Sequence, residues 1–531
     1  MLHTRTTDQK RSRMFRSQNV TFLRNILNKG FINSTEVRCR TSSVGHISSD
    51  EVEAKPFNAI PGPGGLYQWP LIGSLLNFKP FTKFTTETIH EYLDQLHDKY
   101  GTVVKLQLGS QVVVISDPKD IETVYRNEGR YPQRPGFSIL DAYNKRNNIQ
   151  DNIGQLQGEA WHAIRTPVNK RLMKADSATH YLEQQNKVTD DFVHILGARN
   201  FTPETSQDLF FRYASESIAV VIFNKRLGLF EANPDQGSVD FLKAAETSLH
   251  MIQKAGLGKS LAHKWYRNKT YRTFENSQNL VRRVAIGHIE QARQVLEQEM
   301  KTGEFNEDSP NLLYSLLSDK KLTNETVADL MISLYFGGTD STAKYTQVFL
   351  YNLAKHQEKQ QNLRKEILDL LGPEGPLTAT ALSKMVYLKA ALKESFRMIP
   401  PVAIGNTRIL PVDVVLGGYK VPAGMKVFMF NKRPARTHFE KPDQFLPERW
   451  LRSEDNTKKD SAQSMIVLPF GHGPRNCIGR RFAVQEIYLA AVKVLQKLQI
   501  DLQPESAFER FIYLPFAQAE KPIRFKFTKI V

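Results

Sequence analysis

Phe470-Gly471-His472-Gly473-Pro474-Arg475-Asn476-Cys477-Ile478-Gly479-Arg480-Arg481 is the stretch on which the reading of this chain turns. Three glycines and a proline between Phe470 and Gly479 exclude regular helix or strand. Glycine there permits tight turns and close approach of the backbone to a flat ligand. From Arg480 the sequence runs on through Phe482-Ala483-Val484-Gln485-Glu486-Ile487-Tyr488-Leu489, an apolar pattern of helical period. The sulfur of Cys477 is therefore expected at a helix N-terminus, where the dipole and free N–H groups favour a thiolate over a thiol. A lone cysteine is ordinarily a small buried residue; the turn around this one argues for a ligand. The chain has one other cysteine, Cys39, so no multi-cysteine metal site is available.

The string Phe-x-x-Gly-x-Arg-x-Cys-x-Gly resembles the cytochrome P-450 signature at every fixed position, and on it the chain is identified as a member of that family. The resemblance implies that Cys477 is the proximal thiolate ligand of haem b, with Phe470 and Gly471 beside the cofactor and dioxygen as co-substrate. Such a ligand pushes electron density to the metal and favours O–O cleavage. The implied fold is one large, mainly helical domain with a minor β region, over residues 50–531. Strands are expected at Thr102–Leu108, Gln111–Ser116, Arg408–Pro411 and Lys426–Phe430. Periodicity alone does not give that fold.

Further motifs fit the same family. Glu394 and Arg397 stand three apart in an expected helix Tyr387–Met398 and face one side of it. By themselves they read as a surface ion pair; the resemblance joins them to Arg449 in a buried structural triad. Trp161 and Arg165, four apart, read as an ordinary core-plus-surface pair. The resemblance sends them, with Arg408 and Arg475, to the haem propionates, which a guanidinium fork can bind bidentately. In an expected helix Thr323–Ala354, Gly337 and Gly338 precede Asp340 and Ser341. Two mid-helix glycines cost roughly 1 kcal/mol each relative to alanine. They are expected to make room for a small ligand and to open the backbone bonding. An acid followed by a hydroxyl can deliver protons to dioxygen. Serine stands where the family usually has threonine.

Charge and targeting come next. Residues 1–49 hold seven Arg and two Lys against Asp8 and Glu36, which places +7 of the net +17 in this segment. Arg-rich, Ser-rich and acid-poor, with scattered Phe, Leu and Ile, it reads as a mitochondrial transit peptide, removed near Arg40 to His46; a basic tail is the plainer alternative. The expected location is the matrix side of the inner membrane, with peripheral membrane contact. The remaining +10 suits an acidic partner, and no nucleic-acid motif is present. Resemblance to mitochondrial steroid hydroxylases assigns Lys389 and Lys393, with Arg480 and Arg481, to docking of a ferredoxin supplied by NADPH-ferredoxin reductase. The segments around Arg408 and Phe511–Phe516 resemble those of the arthropod ecdysteroid C-22 hydroxylase, which implies a sterol substrate oxidised on its side chain. Val402, Ala403, Ile404 and Phe516 are candidates for substrate lining or for core. A xenobiotic oxidase, a haem-thiolate isomerase or dehydratase, and a haem sensor are the alternatives. Asp340-Ser341 and the lysine pair argue against the last two, which need neither oxygen protonation nor an electron donor. Fused to a fluorescent reporter, residues 1–49 should carry it into mitochondria and be cleaved; a cytosolic or secreted reporter would contradict the assignment.

Overall fold

The computed structural model describes residues 53–530 apart from 71, 175, 199–201, 257–261, 303–310, 320, 403, 452–463 and 514. The basic segment 1–49 therefore lies outside the described residues, as does Ala403. Ala54–Val531 packs as one unit. The elements that build the site are α1 (Gly158–Leu172), α2 (Leu182–Ala198), α3 (Pro203–Phe223), α4 (Gln236–Ala255), α5 (Lys269–Thr302), α6 (Asn324–Lys355), α7 (Val386–Met398) and α8 (Arg480–Lys497). Strands β1 (Val103–Leu108), β2 (Ser110–Ile115), β3 (Thr407–Ile409) and β4 (Lys426–Met429) form a sheet in the order β1-β2-β4-β3. The mainly helical expectation holds, and each expected strand is found within two residues of its place.

Helix starts follow capping chemistry. The Thr323 hydroxyl accepts the Thr326 N–H (3.2 Å) before α6, and the Asp235 carboxylate accepts the Ser238 N–H (2.8 Å) before α4. Thr202 caps α3 and Pro203 opens it. From Thr342 to Ala354 every residue of α6 is buried, so it is a core helix, wrapped on all sides. It packs against α3, itself buried from Phe210 to Phe223 save Arg212, and against α8. Gly338 is where α6 and α3 touch: a Cβ there would stand 2.6 Å from Ile218 Cγ1. Contrary to expectation, the glycine pair does not open the helix, which runs unbroken from Asn324 to Lys355. One glycine serves the helix contact and only Gly337 borders open space.

Alternation in β3 turns Arg408 inward between two half-buried neighbours. In α7, Glu394 and Arg397 are sealed from solvent, and Glu394 is fully satisfied. It accepts from Arg397 Nε and Nη2 (2.9 Å each), Arg449 Nε (2.9 Å), Trp450 Nε1 (2.9 Å) and the Leu446 N–H (3.0 Å). Arg397 also donates to the carbonyls of Ala435, Pro442 and Gln444. One ion network thus fastens the irregular segment 434–450 to α7. Removing one partner of a buried pair leaves an uncompensated charge. Glu394→Ala should therefore lower unfolding stability by about 3–5 kcal/mol, read from the urea midpoint; an unchanged midpoint would show that the network is dispensable.

Candidate active site

The Cys477 loop is shaped by its backbone. The Cys477 N–H donates to the Phe470 carbonyl (2.8 Å), closing the turn. Gly471 and Gly473 hold φ of 73° and 75°, the left-handed region that favours glycine. A Cβ on Gly473 would lie 2.1 Å from Glu128 Oε1, so side chains are excluded by space as well. The Phe470 ring packs edge-on to Phe396 of α7 with centroids 5.5 Å apart. Cys477 precedes α8 by three residues, and its surface is exposed although protein surrounds it. It therefore faces an internal space. Burial pushes its thiol above the ordinary range, against the Gly479 N–H and the charges of Arg165, Arg134 and Arg480. Without a metal cation beside it, dehydration of this thiol outweighs the help of the helix end. A bound metal cation would reverse the balance, because a coordinating thiol is deprotonated.

Four guanidiniums surround this loop. Arg475 lies over the Trp161 ring at 4.2 Å and donates through Nε to Pro132 O and through Nη2 to Leu156 O. Its Nη1 is buried with no partner. Arg165 donates to Asn476 O (2.7 Å) and Asn476 Oδ1 (3.0 Å), which ties α1 to the loop. Arg408 pairs with Glu128 and reaches the His472 carbonyl (3.3 Å). Arg134, which no sequence pattern singled out, donates to Gly154 O (3.1 Å) and interacts with Arg165, Arg408 and Arg475. Burial and then the charges of Arg134, Arg408 and Arg165 lower the Arg475 pKa to about 9. Burial lowers that of Arg165 to about 10. Among the described residues Glu128 is the carboxylate on this cluster. The arrangement fits haem: a thiol facing an internal space, a ring of cations for two carboxylates, and an orphaned donor.

On α6, Gly337 is exposed in a stretch whose other residues are buried or half-buried, with nothing within 4 Å of a notional Cβ. Ser341, one turn on, is half-buried, and its hydroxyl donates to the Gly337 carbonyl (2.6 Å). Both border the same open side of the helix. Asp340 is buried and bound to Lys344, with Oδ1 2.9 Å from Nζ. Acid and hydroxyl thus stand adjacent on the helix, with the acid held by a lysine.

Residues 63–527 match the family model for cytochrome P450. The chain belongs to the cytochrome P-450 family. It is a haem-thiolate monooxygenase that uses haem b and dioxygen. It is 30% identical to a probable mitochondrial cytochrome P-450 (12a5) of Drosophila melanogaster, over 90% of this chain and 92% of that one. It is 29% identical to the mitochondrial 1,25-dihydroxyvitamin D(3) 24-hydroxylase of Mus musculus, over 89% and 90%. Retinoic-acid-bound cyanobacterial CYP120A1 shares the fold with a TM-score of 0.71 at 21% identity, over 89% of this chain and all of that one.

In this P-450, Lys389 and Lys393 are exposed on α7, whereas Glu394 and Arg397 on the same helix are sealed. Lys389 Nζ donates to Ser383 O, and Lys393 Nζ lies 4.1 Å from the Trp450 ring centroid. Arg480 is exposed, whereas Arg481 is half-buried and donates to Met173 O (2.9 Å). Val402 and Phe516 pair as an isolated bridge, and with Ile404 they are half-buried. Arg134→Gln should weaken haem affinity roughly tenfold, the cost of one charge-assisted hydrogen bond, in a haem titration of the apoprotein. The apoprotein itself should melt no lower, because the change relieves repulsion. Equal haem affinity would remove Arg134 from the cradle.

Proposed function

We propose that this P-450 is a mitochondrial sterol or steroid hydroxylase acting on the side chain of an ecdysteroid precursor at C-22. Electrons come from NADPH through ferredoxin reductase and an acidic ferredoxin. The observation that carries the electron-donor part is a pair of exposed lysines one turn apart on α7, a helix held in place by the buried Glu394 network. The network binds Glu394 and Arg397 to segment 434–450, and Lys389 and Lys393 stand exposed beside it. Exposed ammonium groups contribute little to folding, but complementary charge steers encounter and fixes orientation. Arg480, exposed beside the Cys477 loop, extends the basic face; Arg481 is committed to α1's end and contributes only field. The mouse relative's name supports the substrate class, since its substrate is a lipophilic sterol derivative. The half-buried Val402, Ile404 and Phe516 supply apolar surface for such a molecule.

Bound haem supplies the iron at which dioxygen is reduced and split, one atom entering the substrate. Cys477 would hold that iron, and Arg134, Arg165, Arg408 and Arg475 would neutralise the propionates. Ser341 places a hydroxyl on the open side of α6, and Asp340 supplies the protons it passes on. The mitochondrial names of the relatives and the basic segment 1–49 together support import as a cleaved precursor. Among the described residues no helix is long and apolar enough to cross a membrane. Leu66, Trp69, Ile72, Leu75 and Phe81 are each 44–61% exposed within a short stretch, which supports peripheral contact with the inner membrane.

Turnover of ecdysteroid precursors with NADPH, ferredoxin reductase and ferredoxin tests this reading. The expected product is the C-22 alcohol, and the rate should fall with salt, as screening shortens to about 8 Å near physiological ionic strength. Lys389→Glu with Lys393→Glu should keep haem content and lose at least about tenfold in ferredoxin-supported rate. Oxidation of planar xenobiotics with no sterol product would replace the substrate assignment. An unaffected double variant would move the docking face elsewhere.

A further inference from the structure

A cleft reaches α6 at Asp340 and Lys344. It lies between α4, α6 and α3, has a volume of about 260 Å³ and is lined by Gln207, Glu246, His250, Asp340, Lys344 and Gln518. Two pairs of titratable side chains meet there, each pair spaced four residues apart and so on one helix face. Glu246 and His250 are exposed on α4, at the outer side. Asp340 and Lys344 are buried on α6, at the inner side, and bonded to each other. Asp340 acts electrostatically on both Glu246 and His250. Resting on the reading that Asp340 feeds protons toward Ser341, we propose that this cleft is the proton entrance of the enzyme. Glu246 and His250 are its outer acid–base pair, and Lys344 is the positioning residue that holds Asp340 ionised between transfers.

The geometry carries the claim in three ways. Asp340 is 2% exposed, so it cannot exchange protons with bulk water directly. The cleft supplies the only lining of ionisable groups around it among the described residues: Glu246 and His250 from α4, Lys344 from α6. Lys254, Asp208 and Glu87 lie further out and act on this pair electrostatically. Lys344 sits one turn beyond Asp340 on the same helix, so it cannot swing away with another element. It sets a fixed opposition to the burial that raises the Asp340 pKa. A transfer balances simply. Water protonates His250 or Glu246, the proton passes through the cleft to the Asp340 carboxylate, and the bond to Lys344 loosens. Asp340 then releases the proton on its Ser341 side and re-pairs as carboxylate. One proton enters and one leaves, with no change of redox state.

Infrared difference spectroscopy of the haem-loaded, substrate-free enzyme tests the inner half without substrate or electron donor, and so independently of the sterol reading. Lys344→Met should produce a neutral-carboxyl C=O band near neutral pH, absent from Lys344→Met combined with Asp340→Asn. Lys344→Arg should not produce it. The outer half is read as hydrogen peroxide released per NADPH consumed, together with the solvent deuterium isotope effect. Glu246→Gln with His250→Gln should raise both at least several-fold, with haem content and melting temperature unchanged. No carboxyl band in Lys344→Met would overturn the role of Lys344. Unchanged peroxide release and isotope effect in the α4 double variant would overturn the entrance.

Discussion

Four guanidiniums share one side of the Cys477 loop with a single described carboxylate, and the loop's shape and chemistry follow from how that charge is compensated. Arg134, Arg165, Arg408 and Arg475 repel one another in a dehydrated setting where water cannot screen them. Glu128 neutralises Arg408, and backbone carbonyls absorb some of the other donors. An excess of positive charge remains, together with the unpartnered Nη1 of Arg475. Such an arrangement is costly alone and favourable around a dianion. A cofactor carrying two carboxylates and an iron settles both problems at once, since the metal also makes the Cys477 thiolate affordable in a site that otherwise disfavours it. Cradle and ligand are therefore stabilised together, and the apoprotein should be the less stable form.

The Glu394 network is the opposite case. Its acceptors and donors close on themselves, with nothing left for a ligand. Its product is position: α7 is fixed against segment 434–450, and the Phe396 ring of that helix backs Phe470 at the start of the Cys477 loop. A helix so fixed holds its exposed Lys389 and Lys393 in a set register. In α6, Gly337 borders open space while Asp340 and Lys344 line a cleft against α4. Neighbouring residues on a helix are about 100° apart, so acid and hydroxyl can touch two compartments.

Much of this was legible in the sequence. The loop was, because a run of glycines and proline with arginine and cysteine at fixed places has few other uses. Glu394 and Arg397 were, because three-residue spacing on a helix sets their contact; Arg449 and Trp450 follow only once the fold brings segment 434–450 back. Arg134 was not legible: a lone arginine in a loop carries no periodic or spacing signal, and only tertiary packing gives it company. The Gly337-Gly338 pair was half legible. Its reading as a loosened helix failed because Gly338 answers to the Ile218 contact with α3, a neighbour more than a hundred residues away in the chain. At Cys477 the sequence shows the helix end that favours a thiolate but not the burial that opposes it. The cleft on α4 could not be seen at all, because nothing in sequence links Glu246 to Asp340.

The central claim is that Cys477 holds the iron from a site that tolerates the thiolate only when metal is present. The carbon monoxide difference spectrum of the reduced protein reads that bond directly. Wild-type protein should give the red-shifted Soret band of thiolate ligation, and Cys477→Ser should lose it even when haem is still bound. The same red-shifted band in the serine variant would mean that another group ligates the iron, and the account of this site would be wrong.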